Sequence, residues 1–152
     1  MIKIAYDPFG IWKWLFTNQS AFRAVRNTNQ RVTEDSDVVY TVEQLDINNE
    51  YNPETGIFRP KQDGVYSLNA AVGYIPDNLN EGYFITLGFE VNGNLVAQDT
   101  EIFSFGEGVT SVSTIIPLQE NDSVKVVIRA PDGNIEGEVT RTRYDGALLV
   151  RQ

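Results

Sequence analysis

Apolar side chains at every second position, Tyr66, Leu68, Ala70, Val72 and Tyr74, alternate with Ser67, Asn69, Ala71 and Gly73. Only a strand sends successive side chains to opposite faces, so this stretch is committed to a half-buried strand. The pattern returns at Tyr83, Ile85, Leu87, Phe89 and Val91, at Val112, Thr114, Ile116 and Leu118, and at Val124, Val126 and Ile128. No segment sustains a 3.6-residue period. Turn chemistry separates the runs. Asn92-Gly93 supplies the two positive-φ positions of a type I′ hairpin turn between residues 83–91 and 94–103. Further breaks stand at Asn52-Pro53, Pro76-Asp77, Glu120-Asn121-Asp122 and Pro131-Asp132-Gly133. Short strands at this spacing make an all-β chain, a β-sandwich or jelly roll of nine or ten antiparallel strands.

Two stretches depart from plain alternation. From Val38 to Asn48 the apolar phase changes, with Val38, Tyr40 and Val42 even but Leu45 and Ile47 odd. A β-bulge near Glu43-Gln44 accounts for the change. Pro117 beside Ile116 predicts an edge position or a strand end, because proline donates nothing to a ladder. Gly56-Ile57-Phe58 and Gly64-Val65-Tyr66 stand eight positions apart with Pro60 and Asp63 between them. The even spacing predicts two strands, with Phe58 and Tyr66 in phase and entering one core.

Composition narrows the chemistry. The 152 residues fit one domain, and they contain neither Cys nor His. Disulfides, thiolate nucleophiles and the commonest general base and zinc ligand are therefore unavailable. A net charge of −9 disfavours a nucleic-acid surface, which needs clustered Lys and Arg. The apolar run Ile11 to Phe16, interrupted by Lys13, reads as neither signal peptide nor membrane span.

Few residues offer a site. Asp132, Asn134, Glu136 and Glu138 in "DGNIEGE" resemble the start of an EF-hand loop, but the twelfth position is Arg143 instead of a bidentate Glu. A solvated acidic turn is the plainer reading. Glu34, Asp35 and Asp37 read as a solvated loop before the strand at Val38. Two facing carboxylates would suffice for a glycosidase, but sequence alone does not bring two loops together. "SFGEGVTS" lacks the Lys of a phosphate loop and the serine of a nucleophile elbow, so it reads as a turn. Residues 1–19 stand apart from the rest, with Tyr6, Phe9, Trp12, Trp14 and Phe16 in eleven positions. They read either as a first strand packed on the domain or as an attachment peptide in which Trp12, Trp14 and Phe16 contact a partner.

Ala21-Phe22-Arg23-Ala24, Tyr51-Asn52, Gly56-x-Phe58, Gly64-x-Tyr66 and the closing Tyr144-Asp145-Gly146-Ala147-Leu148-Leu149 occur in the order found in complement C1q globular domains. Residues 118–124, "LQENDSV", are similar to that family's Leu-x-x-Gly-Asp-x-Val hairpin, with Asn121 in the glycine position. Residues 20–152 thus resemble a C1q-like domain of the C1q and tumour necrosis factor superfamily. The chain departs from the family pattern at Pro60, which follows Phe58 by two positions instead of three, and at Ala147, where a large aromatic is usual. The resemblance implies a jelly roll of about ten strands and a non-enzymatic homotrimer that recognises a surface protein or carbohydrate by multivalent loops. It implies no obligatory cofactor, and leaves a looser calcium site at Asp132, Asn134 and Glu136 open. An extracellular or particle-surface location is expected. The alternative is a virion or spore-surface decoration or fibre head attached through its N-terminus.

Overall fold

A computed structural model describes residues 19–152. Thirteen strands follow in chain order among these residues. The first six are β1 (Ala21–Val25), β2 (Gln30–Val32), β3 (Asp35–Val38), β4 (Val42–Asp46), β5 (Tyr51–Asn52) and β6 (Ile57–Phe58). Then come β7 (Gly64–Pro76), β8 (Tyr83–Val91), β9 (Asn94–Phe103), β10 (Gly108–Leu118), β11 (Val124–Arg129), β12 (Gly133–Ile135) and β13 (Arg143–Arg151). They form two antiparallel sheets. The first, of seven strands, has the order β2-β12-β7-β13-β1-β4 with β10 on the other flank of β7. The second, of six, has the order β5-β6-β11-β8-β9 with β3 also on β11. The count exceeds ten because β2, β5, β6 and β12 are pieces of two or three residues.

The two sheets face each other across one core. Tyr66, Leu68, Val72 and Tyr74 of β7 are fully buried, as are Ile85, Leu87 and Phe89 of β8 and Val124 and Val126 of β11. Phe22 sits at the centre, stacked on Phe58 at 4.5 Å and on Tyr51 at 5.3 Å and edge-on to Tyr144 at 4.8 Å. Gly146 makes room for it, since a Cβ there would lie 2.3 Å from the Phe22 ring. Phe58 and Tyr66 meet edge to face at 5.7 Å, as their phase predicts. They arrive from different sheets, β6 and β7, so the connection through Pro60 to Asp63 crosses from one sheet to the other.

The tight turns follow their sequence chemistry. Asn92 and Gly93 adopt φ of 52° and 82°, and the Asn92 side chain bonds Asp122 and the Ser123 amide at 2.8 and 2.9 Å. Asn121, standing where a glycine would ease the backbone, takes φ 70°. Pro117 is the penultimate residue of β10, whose pairing among the described residues is with β7 alone, so it meets both expectations at once.

Three readings need correction, and a fourth, the bulge, is borne out. Glu34, Asp35 and Asp37 are not all loop: Asp35–Val38 is strand β3, paired with β11, with Asp35 paired to Arg129 directly across and Asp37 to Lys125 on the diagonal. The middle of the supposed acidic turn, Gly133–Ile135, is strand β12, pinned between β2 and β7. Ala71 and Gly73 are buried although they lie on the outer side of β7, because the chain from Glu136 to Thr142 folds over them. Gly73 donates to Thr142 Oγ1 at 3.1 Å and accepts from the Glu136 amide at 2.8 Å. The β1–β4 bulge is present, with Gln44 lacking an opposite residue, yet it leaves Leu45 and Ile47 about half exposed on the outer face.

Candidate functional site

Antiparallel register sorts the loops into two groups. Ala21 opposite Ala147, and Gly64 opposite both Arg151 and Leu118, put the start of β1 and the end of β13 at one end of the sandwich. The opposite end carries residues 26–29, 77–82, 104–107, 130–132 and 136–142. Backbone bonds fasten these loops to one another. The Asp77 amide donates to the Asp132 carbonyl at 3.0 Å, the Gly106 amide to the Leu79 carbonyl at 2.8 Å, and Tyr83 Oη to the Gly106 carbonyl at 2.8 Å. Asn29 Oδ1 accepts from the Gly137 amide at 2.8 Å, and Arg31 grips Asp77 with two bonds of 2.6 Å. Those bonds hold the Asp77 carboxyl below its ordinary value. This end presents exposed acids, Glu81, Glu107 and Asp132, and three exposed apolar side chains, Leu79, Phe105 and Val139.

The three residues singled out for calcium fall here but do not converge. Asn134 lies within β12, opposite Arg31 and Ile75. Alternate side chains along a strand are roughly 6.6–7 Å apart, so Asp132 and Glu136 cannot reach one ion whose ligands must stand at about 2.3–2.6 Å. Glu136 is instead paired with Arg141 at 3.2 Å. Among the described residues no group of three acidic side chains is placed to hold a metal ion. Trp12, Trp14 and Phe16 lie outside the described residues.

A second feature occupies the outer face of the second sheet. A hollow of about 530 Å³ runs across the strands, floored by Gly88 and Val127 and bordered by Arg129, Glu90 and Leu95. The register explains it. Val127 stands opposite Asp37 on one side and Gly88 on the other, so a low row lies between taller neighbours. On one wall Arg129 binds Asp35 at 2.9 and 3.0 Å. On the other, Lys125 reaches Asp37 at 2.9 Å and Glu90 at 3.4 Å. The hydrogen bonds from Arg129 pull the Asp35 carboxyl down, while Asp37 raises the Lys125 ammonium. A glycosidic general acid needs a carboxyl shifted upward. The carboxyls that move, Asp35, Asp77 and Glu138, all move down. Sequence reasoning missed the hollow because it left Asp35 and Asp37 in a loop. Their alternation with Ser36 and Val38, and a glycine amid the apolar strand at 88, were the available signals.

A third feature is the sandwich edge where β9 and β10 run side by side. Each pairs with one strand only, β8 and β7 respectively, leaving its other flank unpaired by any strand among the described residues. Ile102, at 83% exposure, and Val109 lie on these strands, and Phe105 in the loop that joins them. Such an apolar edge in an acidic chain suits contact with protein better than with water.

The known proteins that resemble this architecture agree with one another. Residues 21–149 match the C1q domain family. The globular domain of zebrafish complement 1qA superposes with a TM-score of 0.61 at 19% identity, covering 88% of this chain and 99% of that one. Murine APRIL gives 0.65 at 15% identity, covering 86% and 99%. Eiger TNF from S. frugiperda gives 0.67 at 12% identity, covering 88% and 93%. At such identities the structures speak for the fold alone, a jelly roll of the C1q and tumour necrosis factor type. No curated protein matches the sequence. With the family pattern running from β1 to the last turn of β13, this chain belongs to the C1q domain family.

Proposed function

We propose that this protein is a non-enzymatic recognition module which assembles as a homotrimer and presents its loops to a repetitive surface. The observation that carries the reading is the apolar β9–β10 edge on a C1q-family jelly roll: Ile102 and Val109 are too exposed for a monomer at ease in water. Closed threefold symmetry would bury that edge against the next subunit. The chain enters β1 at one end, so an assembly held from that side directs residues 77–82, 104–107 and 130–132 outward. Their mutual hydrogen bonds keep them rigid, which lowers the ordering cost of binding. Three weak sites in one rigid particle then bind an array far more tightly than one, through effective concentration alone. The hollow over Gly88 and Val127 is a ligand-sized depression, and its satisfied ion pairs suit a neutral, hydroxyl-rich ligand such as a surface carbohydrate. The place of action is the outside of a cell or particle.

The test compares the wild-type protein with an Ile102→Glu, Val109→Glu variant on glycan and surface-protein arrays. The wild type should retain ligand after washing and the variant, reduced to single subunits, should lose it by 100-fold or more, within the range about 10²–10⁴ expected for avidity. Equal retention by separated subunits would overturn the multivalent mechanism.

A further inference from the structure

Carboxylates outnumber cations in this chain, 21 to 12, so a surface cation has acids in excess to pair with. Arg23, Arg31, Lys125, Arg129, Arg141 and Arg143 each meet one. Arg59 and Lys61, both exposed, do not. Among the described residues neither has a carboxylate within ion-pair distance, and both bind carbonyls instead. Arg59 Nη1 donates to the Asn121 carbonyl at 3.1 Å, and Lys61 Nζ to the Asn48 carbonyl at 2.6 Å. A carbonyl holds a cation in place without neutralising it.

Both cations line one hollow of about 590 Å³ on the β4–β5 flank of the sandwich, away from β9 and β10. The local sequence puts them there. Buried Phe58 and Pro60 alternate with exposed Arg59 and Lys61, so the two cations leave the chain on one side. Backbone bonds fix the segment. The Arg59 amide donates to the Glu50 carbonyl at 2.8 Å, the Lys61 amide to Glu50 Oε1 at 2.8 Å, and the Asn121 amide to the Pro60 carbonyl at 2.8 Å. Glu50 also lines the hollow, but it is buried, and its other carboxylate oxygen accepts from Ser20 Oγ. Glu43 of β4 is the exposed acid of the wall, and no hydrogen bond or ion pair among the described residues engages it.

Donors remain on the cations. Arg59 keeps Nε and Nη2, an edge that grips an oxyanion with two bonds, and Lys61 keeps two ammonium hydrogens. Asn52, on the same wall, accepts the Glu54 amide through Oδ1 at 2.8 Å, which leaves Nδ2 to donate. Alternate residues of an extended chain stand roughly 6.6–7 Å apart and charge-assisted hydrogen bonds span about 2.7–2.9 Å, so one oxyanion reaches both cations.

We propose that Arg59 and Lys61 form an oxyanion site that takes one carboxylate, sulfate or phosphate group, with Asn52 as its neutral donor. A single such group fits. A run of phosphates does not, because the net charge of −9 repels it. The site is separate from the hollow over Gly88 and from the β9–β10 edge, so it stands whether or not the chain forms trimers.

The test titrates the full chain at low ionic strength, where an exposed charged site is least screened, and follows amide and side-chain nitrogen NMR signals. The probes are sodium sulfate, a monosulfated disaccharide and its unsulfated parent, each against sodium chloride of equal ionic strength. Both sulfated probes should give saturable shifts at the Lys61 amide, Arg59 Nε and Asn52 Nδ2. Arg59→Gln combined with Lys61→Gln should weaken sulfate binding roughly tenfold or more. Glu43→Gln, which removes the free carboxylate from the wall, should strengthen it several-fold, a gain that misfolding does not imitate. Tighter binding of the sulfated disaccharide than of sulfate would support the site and make an acidic saccharide its source, and equal binding would support it with the free oxyanion as source. Shifts that chloride or the unsulfated parent reproduces, or that the double variant retains, would overturn the proposal. A Glu43→Gln variant that binds no better would overturn it too, by placing the anion elsewhere.

Discussion

Two tyrosine hydroxyls in the core make the same substitution a test of opposite outcomes. Tyr51 and Tyr144 are both buried, with rings 5.9 Å apart. Tyr51 Oη donates to the Tyr40 carbonyl at 2.8 Å and accepts from the Tyr40 amide at 3.2 Å, tying the link between β3 and β4 to β5. Tyr144 Oη has no partner among the described residues. Tyr51→Phe strands a buried donor and a buried acceptor, each costing about 1–3 kcal/mol, so the loss is roughly 2–6 kcal/mol. Tyr144→Phe removes a desolvated hydroxyl that gives nothing back, so stability should hold within about 0.5 kcal/mol or rise. At about 2–4 °C per kcal/mol for a protein of this size, the melting temperatures should separate by roughly 4–24 °C. Calorimetry or denaturant unfolding monitored by circular dichroism measures both. A loss at Tyr144→Phe equal to that at Tyr51→Phe would refute the hydrogen-bond account of this core.

Phe58→Ala, which empties the space under Phe22 and Tyr66, should cost about 3–5 kcal/mol, and an unchanged melt would contradict the strand phase. Alkali should unfold the protein late and in one step. Burial lifts Tyr40, Tyr51, Tyr66 and Tyr144 above the ordinary 10.0 and Tyr74 to about 12. Because these folded values are raised, their stabilisation is complete below pH 10 and is lost as pH climbs through them. Spectrophotometric titration should therefore show little phenolate at pH 10 and a cooperative rise above it. Chelator should leave the melt unaltered, since Asp132 and Glu136 lie on either side of β12 and only Asn134 stands within it. A rise of several degrees in millimolar calcium would instead reveal a site linked to the folded state.

The strands that carry apolar residues at a strict period of two, β7, β8, β10 and β11, were legible because one face is buried and a one-residue slip would expose it. The short strands were not. Asp35–Val38 carries charge on its outer face and gains its place from backbone pairing with β11, whose Arg129 and Lys125 stand 94 and 88 positions from the acids they meet, a partnership that lies far outside any local window. Gly133–Ile135 is a strand because β7 is long enough to accept both β12 and β13 on one flank. The hollow on the second sheet shares this origin. Its floor is a register accident of Gly88 beside Val127, visible only once strands are paired. The loops of the presenting end were found as turns, but the bonds joining 77–82 to 104–107 and 130–132 arise from the fold.

Sedimentation equilibrium of the full chain at micromolar concentration tests the central claim most directly. The account predicts a single species of about three times 17.1 kDa, with the Ile102→Glu, Val109→Glu variant falling to one subunit while keeping its β-sheet spectrum. A wild-type mass of 17.1 kDa would contradict it, for the exposed β9–β10 edge would then have no partner copy to bury it.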